Sequence, residues 1–157
     1  MAWDWRSSCL EQARSDYAMF SLIRNQAPLC QSLHYLQMAT EKMAKGFLTR
    51  PGGPRYGRTH DAFVRFMRAS KTRPDFQSAC RFTRASQFIA YVDSLLGIAQ
   101  RVEDLSPDGE DHPNPEYPWE MNGVIVIPLE HPFTELALDG PKMVKLLQFI
   151  DDCFTVA

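Results

Sequence analysis

No two cysteines in this sequence are spaced for metal binding or redox exchange. The four that occur, Cys9, Cys30, Cys80 and Cys153, are scattered, with no CxxC among them, which excludes zinc-ribbon and thioredoxin-type motifs. A chain of 157 residues can bury one core without covalent staples. The cysteines are therefore read as small, buried or half-buried hydrophobes in a reducing compartment. No apolar run approaches membrane-spanning length, and the start, Met1-Ala2-Trp3-Asp4-Trp5-Arg6, lacks the long apolar core of a secretion signal. A cytoplasmic protein without membrane association is expected. Net charge is also scarce: 17 Lys and Arg against 19 Asp and Glu give -2. Nucleic-acid contact would therefore need a local basic face rather than the charge of the whole molecule. GxxxxGK[ST], GxGxxG, HExxH and GxSxG are all missing, so nothing points to a phosphate loop, a dinucleotide fold, a zinc protease or a serine hydrolase. No metal and no cofactor are expected.

What is present is helical rhythm. Ser8 and Glu11 have the spacing of a capping box, and Leu10, Ala13, Tyr17 and Phe20 follow at helical intervals. Pro28 restarts the chain, and Leu29, Leu33, Leu36, Met43 and Phe47 form the apolar stripe of a second helix over residues 28–48. Three glycines and two prolines between Arg50 and Arg58 break the pattern. It resumes from Thr59, with Ala62, Phe63, Phe66 and Met67 apolar. Phe76, Cys80 and Phe82 predict a short helical turn on the core. Phe88, Ile89, Val92, Leu95, Leu96, Ala99 and Val102 predict a long helix over residues 86–105. After a proline- and acid-rich loop, residues 123–128 read as a β-strand. A lone strand needs a partner: residues 136–138, or the same segment of a second chain. Pro141 opens a last helix with Met143, Leu146, Leu147, Ile150 and Phe154 inward. The expected fold is one all-α domain over residues 1–157, an up-and-down bundle of about five helices with a small β excursion near 123–138. Its second, fourth and last helices should supply most of the core.

The second helix carries a more specific pattern. His34 to Leu48 contains an apolar run, Gln37, then Ala39-Thr40-Glu41-Lys42 followed by Lys45, and this resembles the signature helix of HEPN domains (higher eukaryote and prokaryote nucleotide-binding domains). Thr59-His60-Asp61 at a helix start, after a variable loop, is similar to the same family. Asn114-Pro115-Glu116-Tyr117-Pro118-Trp119 is similar to a block in a small bacterial subgroup of HEPN-like proteins. The resemblance spans nearly the whole chain. It implies a helical bundle, usually dimeric, often linked to RNA or nucleotides, and in many members a metal-independent ribonuclease with an Arg a few residues before a His near the last bundle helix. Here the last helix holds no His, and the matching spacing is Arg55 to His60, before the third helix.

Four sets of residues are candidates for chemistry. Arg55, Arg58 and His60 have the residue types to cut RNA, His as proton carrier and Arg as stabiliser of phosphate charge; the alternative is a solvated basic loop with His60 capping or bracing a helix start. His34, Gln37, Glu41 and Lys45 share one helical face. With Lys42 they could hold a nucleotide or phosphate, or form a satisfied structural network. Arg65, Arg68, Lys71, Arg73, Arg81 and Arg84 could contact a phosphate backbone or form an ordinary wet face. Asp108, Glu110, Asp111, His112 and Glu116 contain oxygens and a nitrogen but match no established metal loop; Tyr117 and Trp119 are expected to pin this loop to the bundle. The favoured function is a non-catalytic RNA- or nucleotide-binding module. A metal-independent endoribonuclease using Arg55 and His60 is the second possibility. A protein–protein adaptor or toxin–antitoxin component is the third. A homodimer is expected, built partly through the bundle face, with residues 124–127 as a second contact.

Overall fold

The computed structural model describes residues 4–106 and 112–157, so Asp108, Glu110 and Asp111 of the candidate metal loop lie outside the described residues. Among the described residues six α-helices follow in order: α1 Trp5–Ile23, α2 Leu29–Leu48, α3 Ala62–Ser70, α4 Pro74–Ala79, α5 Ala85–Glu103 and α6 Pro141–Phe154. Between α5 and α6 lies a two-stranded antiparallel sheet, β1 Trp119–Met121 and β2 Val124–Val126. This is the all-α bundle with a β excursion that the periodicity predicts. The helix beyond five is α4, expected only as a turn. Pro74 sets its first turn, and its Phe76 is fully buried.

α1 starts earlier than the Ser8–Glu11 pair implies. Asp4 and Ser7 form the capping box instead: Ser7 N–H donates to Asp4 Oδ1 at 2.7 Å, and Asp4 N–H donates to Ser7 Oγ at 3.3 Å. Ser8 is already in the first turn, its N–H bonded to the Asp4 carbonyl. α1 runs antiparallel along α2, with Arg6 near Thr49 at one end and Asp16 near Lys42 further along. Gly46 permits the close approach, because a Cβ there would lie 2.6 Å from Leu10 Cγ.

α3 begins at Ala62 rather than Thr59, and its preceding Asp61 makes no side-chain cap. The cap comes from across the bundle: Val64 N–H donates to Glu103 Oε2 on α5 at 3.0 Å, with Glu103 9% exposed. A remote carboxylate thus satisfies a helix-end donor that local sequence leaves open. Most of the buried apolar residues come from α2, α5 and α6 as expected, and α1 and α3 add their own stripes, with Val64 as the one addition on α3. Phe47 of α2 stacks on Phe66 of α3 at 5.1 Å, Phe76 of α4 meets both edge-on, and Phe66 reaches Phe149 of α6.

The strand expectation needs a correction. β2 pairs with residues 119–121, in the register Trp119–Val126, Glu120–Ile125 and Met121–Val124, while Thr134–Leu136 is a 3-10 turn. The reason lies in Asn122-Gly123, both left-handed at φ 53° and 76°. That conformation matches the twist of a two-residue hairpin. Trp119 anchors the hairpin at 4% exposure and rests against His131 and Phe133. Tyr117 does not act as an anchor; it is 57% exposed.

Candidate functional site

The polar stripe of α2 divides between three places. Gln37, Glu41 and Lys45 stand one turn apart and converge on one carboxylate. Glu41 Oε1 accepts from Lys45 Nζ at 2.5 Å, and Glu41 Oε2 accepts from Gln37 Nε2 at 2.9 Å. His60, at the end of the long loop, brings Nδ1 to 2.9 Å from the same Oε2, where it donates to the carboxylate. Burial works to raise the Glu41 carboxyl, but the hydrogen bonds from Lys45 and His60 outweigh it and hold it below its ordinary range. Three donors on a largely buried carboxylate make a satisfied network.

His34 lies on the same helical face but seven residues away, roughly 10 Å along the axis at the helical rise. It therefore faces a different cleft, of about 550 Å3, which it lines with Tyr35, Glu116 and Leu129. Its Nδ1 is 3.8 Å from Glu116 Oε2. Lys42 turns toward α1, where Nζ donates to the buried Asp16 at 2.5 Å. His34 and Lys42 are thus not brought to the Glu41 network.

Arg55 and His60 have different partners. The Arg55 guanidinium stands 5.2 Å over the ring of Trp5, which is 48% exposed at the start of α1. His60 is held by Glu41 and also lines a cleft of about 480 Å3 whose walls carry Asp61, Glu103 and Asp104. A phosphate entering from that side would meet carboxylates.

The loop bearing Arg55 is fixed to α1. Asp4 Oδ2 accepts the Gly52 N–H at 3.1 Å, and Asp4 has its carboxyl lowered to about 2, chiefly by its hydrogen bonds with Ser7. Arg6 closes the other side, donating to the Thr49 carbonyl and lying over Phe47. Cys9, on the same helix, has its thiol pushed up by burial, against the opposing pull of Lys45, Arg55 and Lys42. Arg50, Arg55 and Arg58 are exposed, and among the described residues no carboxylate pairs with any of them.

The second basic set differs. Arg65 pairs with Asp61 at 2.6 Å, Lys71 with Asp93 at 2.8 Å, and Arg73 with Asp75, while Arg73 also lies 4.3 Å over Phe76. Arg68, Arg81 and Arg84 remain exposed. Half of that face is therefore neutralised. His112 donates to the Ser106 carbonyl at 2.9 Å, serving loop structure.

Sequence reasoning missed Trp5 and Asp4. Asp4-x-x-Ser7 was available as a cap, and it would have placed Trp5 on the first turn. The pairing of Trp5 with Arg55 carries no sequence signal. Comparison of the chain with family models, with curated proteins and with solved structures finds no match.

Proposed function

We propose that this chain is a HEPN-like, non-catalytic module that binds single-stranded RNA on the 50–58 loop and the start of α1. The observation that carries the reading is the Arg55–Trp5 stack, flanked in the chain by Arg50 and Arg58, three exposed arginines that no carboxylate among the described residues pairs. An exposed indole offers a stacking platform for a base, and guanidinium groups track phosphates. The paired cations of α3 and α4 fit that role less well, since each would first have to release a carboxylate. The same geometry favours binding over cleavage, because His60 bonds Glu41 while Arg55 rests on Trp5.

The test is fluorescence anisotropy with a labelled single-stranded RNA across a salt series. Affinity should fall steeply with salt. Arg50→Ala, Arg55→Ala and Arg58→Ala combined should weaken binding and reduce the log–log salt slope by about 0.7 per lost phosphate contact. Trp5→Ala should weaken binding without changing that slope. RNA should stay intact throughout, and His60→Ala should bind as the parent does. Absence of binding at low salt, or binding indifferent to the triple substitution, removes the reading. Cleavage that survives chelator and disappears in His60→Ala would replace it with the ribonuclease alternative.

A further inference from the structure

The β-hairpin presents a surface that the RNA reading does not use. Ile125 is 74% exposed, Val124 63%, Leu129 62% and Met121 48%. From Met121 to Leu129 no residue is charged, and Val124 to Ile127 are all β-branched. Natural sheets protect open edges with lysine, proline, a bulge or a covering element. This edge has no charge, no bulge in its register, and no proline before Pro128.

The register also fixes which backbone groups are open. In a two-residue hairpin the pair flanking the turn, Met121 and Val124, exchanges hydrogen bonds, and the next pair, Glu120 and Ile125, does not. The N–H and C=O of Ile125 therefore point to the outer edge. Neither is bonded to another backbone group among the described residues.

We propose that β2 pairs with β2 of a second copy of this chain, antiparallel about a two-fold axis at Ile125, to give a four-stranded sheet across the dimer. This inference stands independently of RNA binding. Three observations select a second copy as the occupant. An uncharged strand meets no like-charge conflict when it faces itself. The two-fold register lets each Ile125 donate to and accept from the Ile125 of the other copy, which is the closing geometry of an isologous contact. It also sets Val124 opposite Val126, so that only β-branched side chains face one another. Edge-to-edge pairing of two short strands falls at the low end of specific interfaces, about 1000 Å2 or less of total buried surface. The dimer is accordingly weak and dependent on concentration.

Sedimentation velocity on the full chain over a hundredfold concentration range tests this. The expected result is a rise toward the mass of two chains in the parent protein. Ile125→Lys should stay at the mass of one chain with an unchanged helical circular dichroism spectrum, since Ile125 is mostly outside the core. Ile125→Cys should form a disulfide-linked dimer on mild oxidation, because a directly opposed strand pair brings the two Cα atoms to about 5.5 Å; Leu129→Cys should not. A parent protein that remains one chain at the highest concentration overturns the proposal. So does a dimer that Ile125→Lys leaves intact, or one in which Ile125→Cys fails to cross-link.

Discussion

Replacing Glu103 separates its two physical roles. Its carboxylate supplies the acceptor for Val64 N–H at the start of α3, and it is 9% exposed. Burial raises its pKa, opposed by the hydrogen bonds it accepts from the backbone of Val64 and Phe63. Glu103→Ala removes the acceptor. The loss is that of a helix cap, about 1 kcal/mol, plus part of the cost of a buried unsatisfied N–H, a further 1 kcal/mol or so. A total of about 2 kcal/mol should lower Tm by roughly 6 °C in a domain of this size. Glu103→Gln keeps an acceptor oxygen and removes the buried charge, so it should lie within about 1 kcal/mol of the parent at neutral pH. The sign of the pH effect follows from the raised pKa. The folded state holds its proton more tightly than the unfolded state, so this group's contribution is complete below the ordinary carboxylate range and declines as pH rises through the raised value. Glu103→Gln should flatten that decline. The assay is urea unfolding followed by helical circular dichroism from acid to neutral pH, with hydrogen exchange at the Val64 amide as the local readout. If Glu103→Ala costs less than about half a kcal/mol, or if Ala and Gln cost the same, the cap is not what Glu103 contributes.

Two further predictions concern α2. Burial tends to raise the Glu41 pKa, but the bonds from Lys45 and His60 lower it overall, so its stabilisation is present above the ordinary carboxylate range and lost as pH falls through the lowered value; Glu41→Gln should be less stable at neutral pH and lose less on acidification, read by thermal melts from neutral to acid pH. Lys42→Met leaves the Asp16 carboxylate, 7% exposed, without its cation; with Lys42 itself partly exposed the cost should be about 2 kcal/mol, below that of breaking a fully buried pair, and adding Asp16→Asn should restore most of it in a double-mutant cycle.

Helix positions were legible because apolar residues recur every three or four positions wherever one helical face is buried, and this alone placed α2, α5 and α6 within a few residues. Asn122-Gly123 carries a hairpin signal, since both residues tolerate a left-handed backbone, but a strand read from Gly123 onward absorbs that turn and leaves its partner to be sought at residues 136–138 or in a second chain. Other features depend on residues far apart in the chain. Periodicity puts His34 and Glu41 on one face but ignores the axial rise that sends His34 to a cleft beside Glu116 and leaves Glu41 among Gln37, Lys45 and His60. It cannot show that Lys42 turns to Asp16, that Glu103 caps α3, or that Arg55 rests on Trp5.

What the sequence determined by itself is the all-α class and the inward faces, because these follow from local spacing and the burial of apolar surface. Only the tertiary structure decided which charges are spent on one another and which stay open to a ligand. An ion pair forms through space, and packing brings together groups between which the chain encodes no distance.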